Sequence, residues 1–312
     1  MSKRTMPRLL QTPAVILLLI WMLVPLSMTL YFSFIRYVLN SLRRPEWTTP
    51  SLSNWRGFGN YEYVLNAKDF WFALQNSLFI VGSILVLTVT LGLAIAVLVN
   101  RNFPGRGIVR VLLISPFFVM PAVNGVLWIN MILDPVLGLN GLAVNGLNNV
   151  LDGLRDWPVL GNFFSLWPEI EPISFRATQT SAYAVIMMVT WQWTPFAVLI
   201  FMTSLQSEDE SQKEAATLDG AGAWSQFCNL TIPHLARPIA IVVMIQSIFH
   251  LSLYAEIEIV SRGNGNKNLP YLIGEFTSNN IGAASAAGIF AVILANIVAI
   301  FLLRMIGKSL MD

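Results

Sequence analysis

The sequence predicts an all-α membrane protein in which six spanning helices form one domain, residues 1–312. Three observations predict it. Charged residues make up 12% of the chain and hydrophobic residues 55%, whereas soluble domains carry about 25% charged residues. The apolar residues gather into long runs with the charges between them. Six of these runs reach the roughly 20 residues that a helix needs to cross a bilayer core.

The spans cover residues 13–35, 77–99, 108–133, 182–205, 238–259 and 282–306. Several contain helix-breaking or polar residues, as in Ser115-Pro116 and Gln192-Trp193-Thr194-Pro195. Such breaks are tolerated where neighbouring helices or cavity water satisfy the freed backbone groups, so these helices are expected to face the interior of a bundle. Lys3, Arg4 and Arg8 precede the first span, but its apolar run is long and no Ala-x-Ala cleavage pattern follows, which predicts a retained helix rather than a signal peptide. Arg101, Arg106 and Arg110 cluster about the short connection 100–107, with Arg304 and Lys308 at the far end. By the positive-inside rule both termini are then cytoplasmic. Two longer stretches, 36–76 and 134–181, fall on the outer side, where Trp47, Trp55, Trp71, Trp157 and Trp167 suit a membrane–water boundary.

The composition also excludes functions. A net charge of +2 gives no basic surface for nucleic acid. A single cysteine, Cys228, allows neither an internal disulfide nor a thiolate cluster. The two histidines, His234 and His250, fall in different regions, so no metal site is expected. Gly307-Lys308-Ser309 resembles the end of a phosphate-binding loop, yet Leu302 stands where such a loop requires glycine. The chain is expected to bind no cofactor of its own. No paired nucleophile or carboxylate dyad lies deep in the spans, which argues against a membrane enzyme.

Residues 206–237, between the fourth and fifth spans, differ in kind. Ser207 is a candidate N-cap, followed by Glu208, Asp209 and Glu210 in the first turn, where the helix dipole favours negative charge. Ala215 and Ala216 favour helix, and Gly220 and Gly222 can end it. A second short helix from about Trp224 would end near Pro233. The expected product is a helix-turn-helix ledge. A helix lying on lipid normally carries basic residues, whereas this one is acidic, so a groove on a partner protein is the better fit.

Polar groups at membrane depth are costly and tend to face a cavity or another helix. Gln246, His250 and Tyr254 fall at i, i+4 and i+8, one face of a helix, with Glu256 just beyond. Asn124 and Trp128 lie in the third span, Gln192 and Trp193 in the fourth. Aromatic faces with amide and carboxylate groups suit a carbohydrate, which presents C–H faces and many hydroxyls. Interhelical hydrogen bonding is the competing account of each residue taken singly.

Glu214-Ala215-Ala216, Gly220 and, nine residues on, Leu230-Thr231-Ile232-Pro233 resemble the EAA loop of ABC-importer permeases. Phe103-Pro104-Gly105-Arg106-Gly107, Arg110, Pro116, Pro121, Trp128 and Gly138-Leu139-Asn140 are similar to carbohydrate permeases of the maltose-permease type. The resemblance implies a type I permease bundle in a bacterial inner membrane. It implies a cytoplasmic coupling helix, with Glu214, Ala215, Ala216, Asp219, Gly220 and Pro233 at the contact with an ATP-binding subunit dimer. That partner would use ATP and Mg. A second permease subunit, a periplasmic substrate-binding protein and membrane lipid complete the implied partners. Ala255-Glu256-Ile257-Glu258-Ile259 and the tail 295–308 look like polyol permeases of the mannitol and sorbitol type. Ser261-Arg262-Gly263-Asn264-Gly265 departs from that pattern and makes Arg262 a candidate contact for substrate or receptor. The cargo expected is a polyol, a related sugar, a glycosyl-glycerol or a substituted, even anionic, glycoside. The competing function is a secondary transporter or channel for a small polar solute, but that class often shows inverted repeats, and no repeat is evident.

Overall fold

The computed structural model describes residues 5–39, 48, 50–157, 161–164 and 166–311. Lys3, Arg4 and Trp47 lie outside the described residues, as do the side chains of Arg8 and Lys308. The helices are α1 (Thr5–Ser33), α2 (Gly59–Asn66), α3 (Lys68–Val99), α4 (Arg106–Ile114), α5 (Pro121–Leu127), α6 (Leu139–Arg155), α7 (Gly161–Phe164), α8 (Ser181–Leu205), α9 (Glu210–Leu218), α10 (Ala223–Gln226), α11 (Ile232–His250), α12 (Ala255–Ser261), α13 (Leu269–Thr277) and α14 (Ile281–Met311). Among the described residues there is no strand, only two isolated β-bridges. The fold is all-α. Five helices are long and apolar enough to cross a membrane, and a sixth crossing results if one bent pair is a single span.

That bent pair is the third span. Residues Arg106–Phe118 and Pro121–Ile132 meet at 103°, where the sequence reads as one run. The cause is local. Pro116 and Pro121 lack backbone donors, and Pro121 occupies the first turn of α5, where that lack is harmless. A 3₁₀ turn, Ser115–Phe118, and a π turn, Trp128–Ile132, flank the bend. Beyond it, Asp134 Oδ1 accepts from the backbone of Val136 and Leu137, each at 2.9 Å. The Leu137 and Val136 N–H groups hold this exposed carboxyl below its ordinary pKa.

The fifth span also departs from the sequence reading. The helix begins at Ala223, within the ledge, and runs to His250. A π turn, Phe227–Thr231, joins α10 to α11. Pro233 therefore does not end a second ledge helix. It sits two residues after that π turn, at the start of α11, where the wider turn already departs from the i→i−4 ladder that a missing N–H would interrupt. The helix stops at His250, and the chain restarts as α12.

The chain divides into two compact units, residues 1–74 with 269–296, and 75–268 with 297–312. In the first, Val64, Phe70, Ala73, Leu269 and Leu272, with Ala283, Ala286 and Ala287 of α14, form the core. Small residues on α14 permit close approach, since a Cβ on Gly282 would lie 2.6 Å from the Ile35 carbonyl oxygen. Asn60, fully buried, donates to the carbonyls of Ser33 and Ile35, both at 2.9 Å. In the second unit, α8 is the central element. Most of it is buried, and Ala197, Phe201 and Leu205 pack with Ala96, Leu235 and Val242. A helix buried on nearly all sides belongs inside a bundle. By contrast α1 is exposed along its apolar length. The hydroxyls of Ser27, Thr29 and Ser33 fold back onto its own carbonyls, as Thr29 Oγ1 does onto Pro25 at 2.9 Å, which satisfies these donors within the helix.

Candidate functional site

Polar residues of the central spans meet in two clusters within the second unit. In the first, Gln246 is fully buried; its Oε1 accepts from Thr88 Oγ1 at 2.7 Å and its Nε2 donates to the Trp193 carbonyl at 3.4 Å. His250, 1% exposed, stands edge-on to the Trp193 ring with centroids 4.9 Å apart. Neither of its ring nitrogens has a hydrogen-bond partner among the described residues. Tyr254 does not continue this face. Leu251 and Ser252 form a turn, Tyr254 takes a non-helical conformation as the N-cap of α12, and its side chain is exposed. The i, i+4, i+8 stripe is thus two residues long, because the helix ends where the pattern assumed that it continued.

The second cluster sits at the bend. Asn124, fully buried, donates through Nδ2 to Gln192 Oε1 at 3.0 Å and to the Met188 carbonyl at 3.1 Å. Gln192 Nε2 in turn donates to the Val119 carbonyl, the group left unpaired by the break before Pro121. The side chain of α8 therefore supplies the hydrogen bond that the bent span cannot make for itself. Gln192→Leu should leave the Val119 carbonyl orphaned and lower stability by about 1–3 kcal/mol. The check is the unfolding midpoint of the detergent-solubilised chain, and an unchanged midpoint would refute this role.

Trp128 lies elsewhere, half-buried and in T-shaped contact with Trp191 at 5.9 Å. Both line an apolar cavity of about 620 Å³, together with Thr190, Thr194, Pro195 and Met187. Glu256 is 5% exposed on α12 and makes no ion pair among the described residues. Arg262 caps α12 in a left-handed conformation, φ 53°, exposed on an open cleft that Arg176 and Glu258 also line. Among the described residues no group of three or more His, Cys, Asp or Glu could hold a metal ion.

The ledge is a separate feature. Asp209, rather than Ser207, caps α9 by accepting from the Ser211 backbone at 2.9 Å, while Ser207 bonds back to the Ser204 carbonyl. Glu214, Ala215, Asp219 and Gly220 are exposed and Ala216 is half-buried. Gly220 closes the helix at φ 81°. Pro233 is exposed at the root of α11. Sequence reasoning missed two neighbours, Leu218 and Trp224, which are 88% and 76% exposed. Their signal was a large apolar residue on either side of the Gly220–Gly222 turn.

These features define a multi-helix membrane protein with two buried polar clusters among its spans and a helical ledge. The family of binding-protein-dependent transport system inner membrane components matches residues 79–312, and the chain belongs to it. It is 32% identical to a probable ABC transporter permease protein, y4oQ, of Sinorhizobium fredii, over 80% of this chain and 72% of that one. It is 23% identical to the trehalose transport system permease protein SugA of Mycobacterium tuberculosis, over 99% and 91% of the two chains. It shares the fold of a chain in the crystal structure of a bacterial alginate ABC transporter in complex with an alginate pentasaccharide-bound periplasmic protein. The TM-score is 0.72, with 19% identity over 97% of this chain and 94% of that one. The fold is that of an ABC transporter permease of type I. The chain is an inner-membrane permease subunit of a binding-protein-dependent transporter, and not an enzyme.

Proposed function

We propose that this chain forms part of the transmembrane pathway of an ATP-driven carbohydrate importer, and that α9 is the helix through which a separate ATP-binding subunit dimer drives it. The exposed apolar pair on the ledge carries this reading. Leu218 and Trp224 are almost fully in contact with solvent on a polar segment with glycines between its helices, and such a surface fits a groove on a partner. Glu214, Ala215, Ala216, Asp219 and Gly220 are the proposed docking residues, with Pro233 at the root of the helix that follows. On this reading the ledge and both termini are cytoplasmic. ATP and Mg belong to the partner, and a second permease subunit completes the pathway.

Cargo reaches the pathway from a periplasmic binding protein. Aromatic and amide groups at Trp128, Trp193, Asn124, Gln192, Gln246 and His250 support a polyhydroxylated solute, as does the similarity to a trehalose permease. Tyr254, Glu256 and Arg262 are proposed at the outer end of the route. Within the carbohydrate class, polyols of the mannitol and sorbitol type, small sugars and glycosyl-glycerols are the candidates.

Two measurements test the proposal. Reconstituted with its partners in liposomes, the chain should take up radiolabelled carbohydrate only when the ATP-binding subunits and ATP are both present. Uptake without them would instead establish a channel or secondary transporter. Calorimetry on the cognate binding protein with polyols, hexoses, disaccharides and glycosyl-glycerols then identifies the cargo, and binding to none of them would remove the carbohydrate reading.

A further inference from the structure

One carboxylate of the ledge points inward although its neighbours do not. Ser207, Asp209 and Glu210 are exposed, yet the Glu208 side chain is only 5% exposed. Its Oε1 accepts from Thr231 Oγ1 at 2.9 Å. Its Oε2 lies 2.8 Å from Lys213 Nζ. A carboxylate is costly to bury unless it is paired and hydrogen-bonded, and at this point of the loop it could turn into water. Its two partners therefore account for the inward position.

The partners belong to different elements. Lys213 lies in α9, and Thr231, itself buried, is the last residue of the π turn that feeds into α11. Between them the chain passes through Gly220 and Gly222, about which α9 could otherwise pivot. A second tie joins α9 to α10, where Gln226 Nε2 donates to Thr217 Oγ1 and to the Ala221 carbonyl, both at 2.9 Å. From Thr231, α11 continues for 19 residues to His250, with Pro238 inside it, about 28 Å of helix.

We propose that Glu208 is a positioning residue that fastens α9 to the root of α11. A displacement of the ledge then moves α11, with Gln246 and His250 near its far end, and is not absorbed by the glycine-containing turn. This inference rests on the reading of α9 as the helix docked by the ATP-binding subunit.

The test uses the assembled transporter in lipid nanodiscs, with receptor-stimulated and basal ATP hydrolysis measured side by side. Glu208→Ala should reduce the stimulation by about fivefold or more, the lower end of ordinary allosteric couplings, while assembly and basal hydrolysis persist. Thr231→Val, which removes one hydroxyl from the same tie, should reduce it in the same direction and provides the test if Glu208→Ala does not assemble. Exchanging the charges, Glu208→Lys with Lys213→Glu, should restore stimulation that each single change removes. Glu208, Lys213 and Thr231 line a cleft that Arg101 also lines, and Arg101→Gln, which alters that other charged residue, should leave stimulation intact. Full stimulation in Glu208→Ala, no rescue by the exchange, or an equal loss in Arg101→Gln would each overturn the proposal. Where Gly220→Val uncouples and Glu208→Ala does not, the tie alone is wrong. Where neither uncouples, the docking reading falls with it.

Discussion

Gly265→Ala is expected to destabilise the chain by about 3 kcal/mol or more. Two independent costs combine. Gly265 has φ 78°, a conformation in which a residue with a Cβ is strained. The added Cβ would also lie 1.8 Å from the Thr178 carbonyl oxygen and 2.5 Å from its carbon. These are backbone atoms, so no rotamer change relieves the clash. Thr178 cannot retreat freely either, because its Oγ1 bonds Asn264 Oδ1 at 2.9 Å, while Ser181 Oγ donates to the Asn264 carbonyl at 2.7 Å. Ser261 Oγ, 2.7 Å from the side chain of the fully buried Asn266, ties the other side of the loop. The expected readout is an unfolding midpoint lowered by roughly 6 °C or more for the chain in detergent. A shift no larger than the scatter of the measurement would show that the loop can open without cost. Arg262 stands in the same loop, so the loss should also disturb whatever that exposed guanidinium contacts.

The limits of the sequence are clearest in the fifth span. Gln246 and His250 were legible as polar groups on one face because helical periodicity is local. The stop after His250 was not legible, since Leu251-Ser252-Leu253-Tyr254 contains neither proline nor glycine. Its turn is held by contacts such as the Ser252 hydroxyl on the Phe249 carbonyl at 2.7 Å. The bend of the third span was half legible. Pro116 and Pro121 announced a break, but its 103° angle depends on Gln192, 73 residues from the carbonyl that it satisfies. Glu208 read as one more acidic residue of a first helical turn. Its partner Thr231 is 23 residues away, and no periodicity or composition links the two. Long-range polar ties of this kind follow from packing, which a single sequence does not display.

At Gly220 sequence and structure converge. Gly220→Val is expected to abolish receptor-stimulated ATP hydrolysis in the assembled transporter. The Gly220 N–H donates to the Thr217 carbonyl at 3.1 Å and the Ala221 N–H to the Ala216 carbonyl at 2.9 Å, the paired bonds of a Schellman ending. That ending requires a left-handed residue at Gly220, where a β-branched side chain is a severe outlier. Valine should therefore undo the stop, redirect Ala221 to Ala223 and carry Leu218 and Trp224 out of register on the docking face. Asparagine tolerates the left-handed region, and within the isolated chain nothing lies within 4 Å of the added Cβ. Gly220→Asn should thus keep the stability of the purified subunit close to the parent. Its ATPase stimulation then separates two roles for the glycine. If Gly220→Asn stays coupled, the conformation is what the ledge needs from this position. If it uncouples while remaining equally stable, the missing side chain is itself part of the contact, since no described residue lies within 4 Å of the added Cβ. Undiminished stimulation in Gly220→Val would remove the ledge from the coupling path altogether.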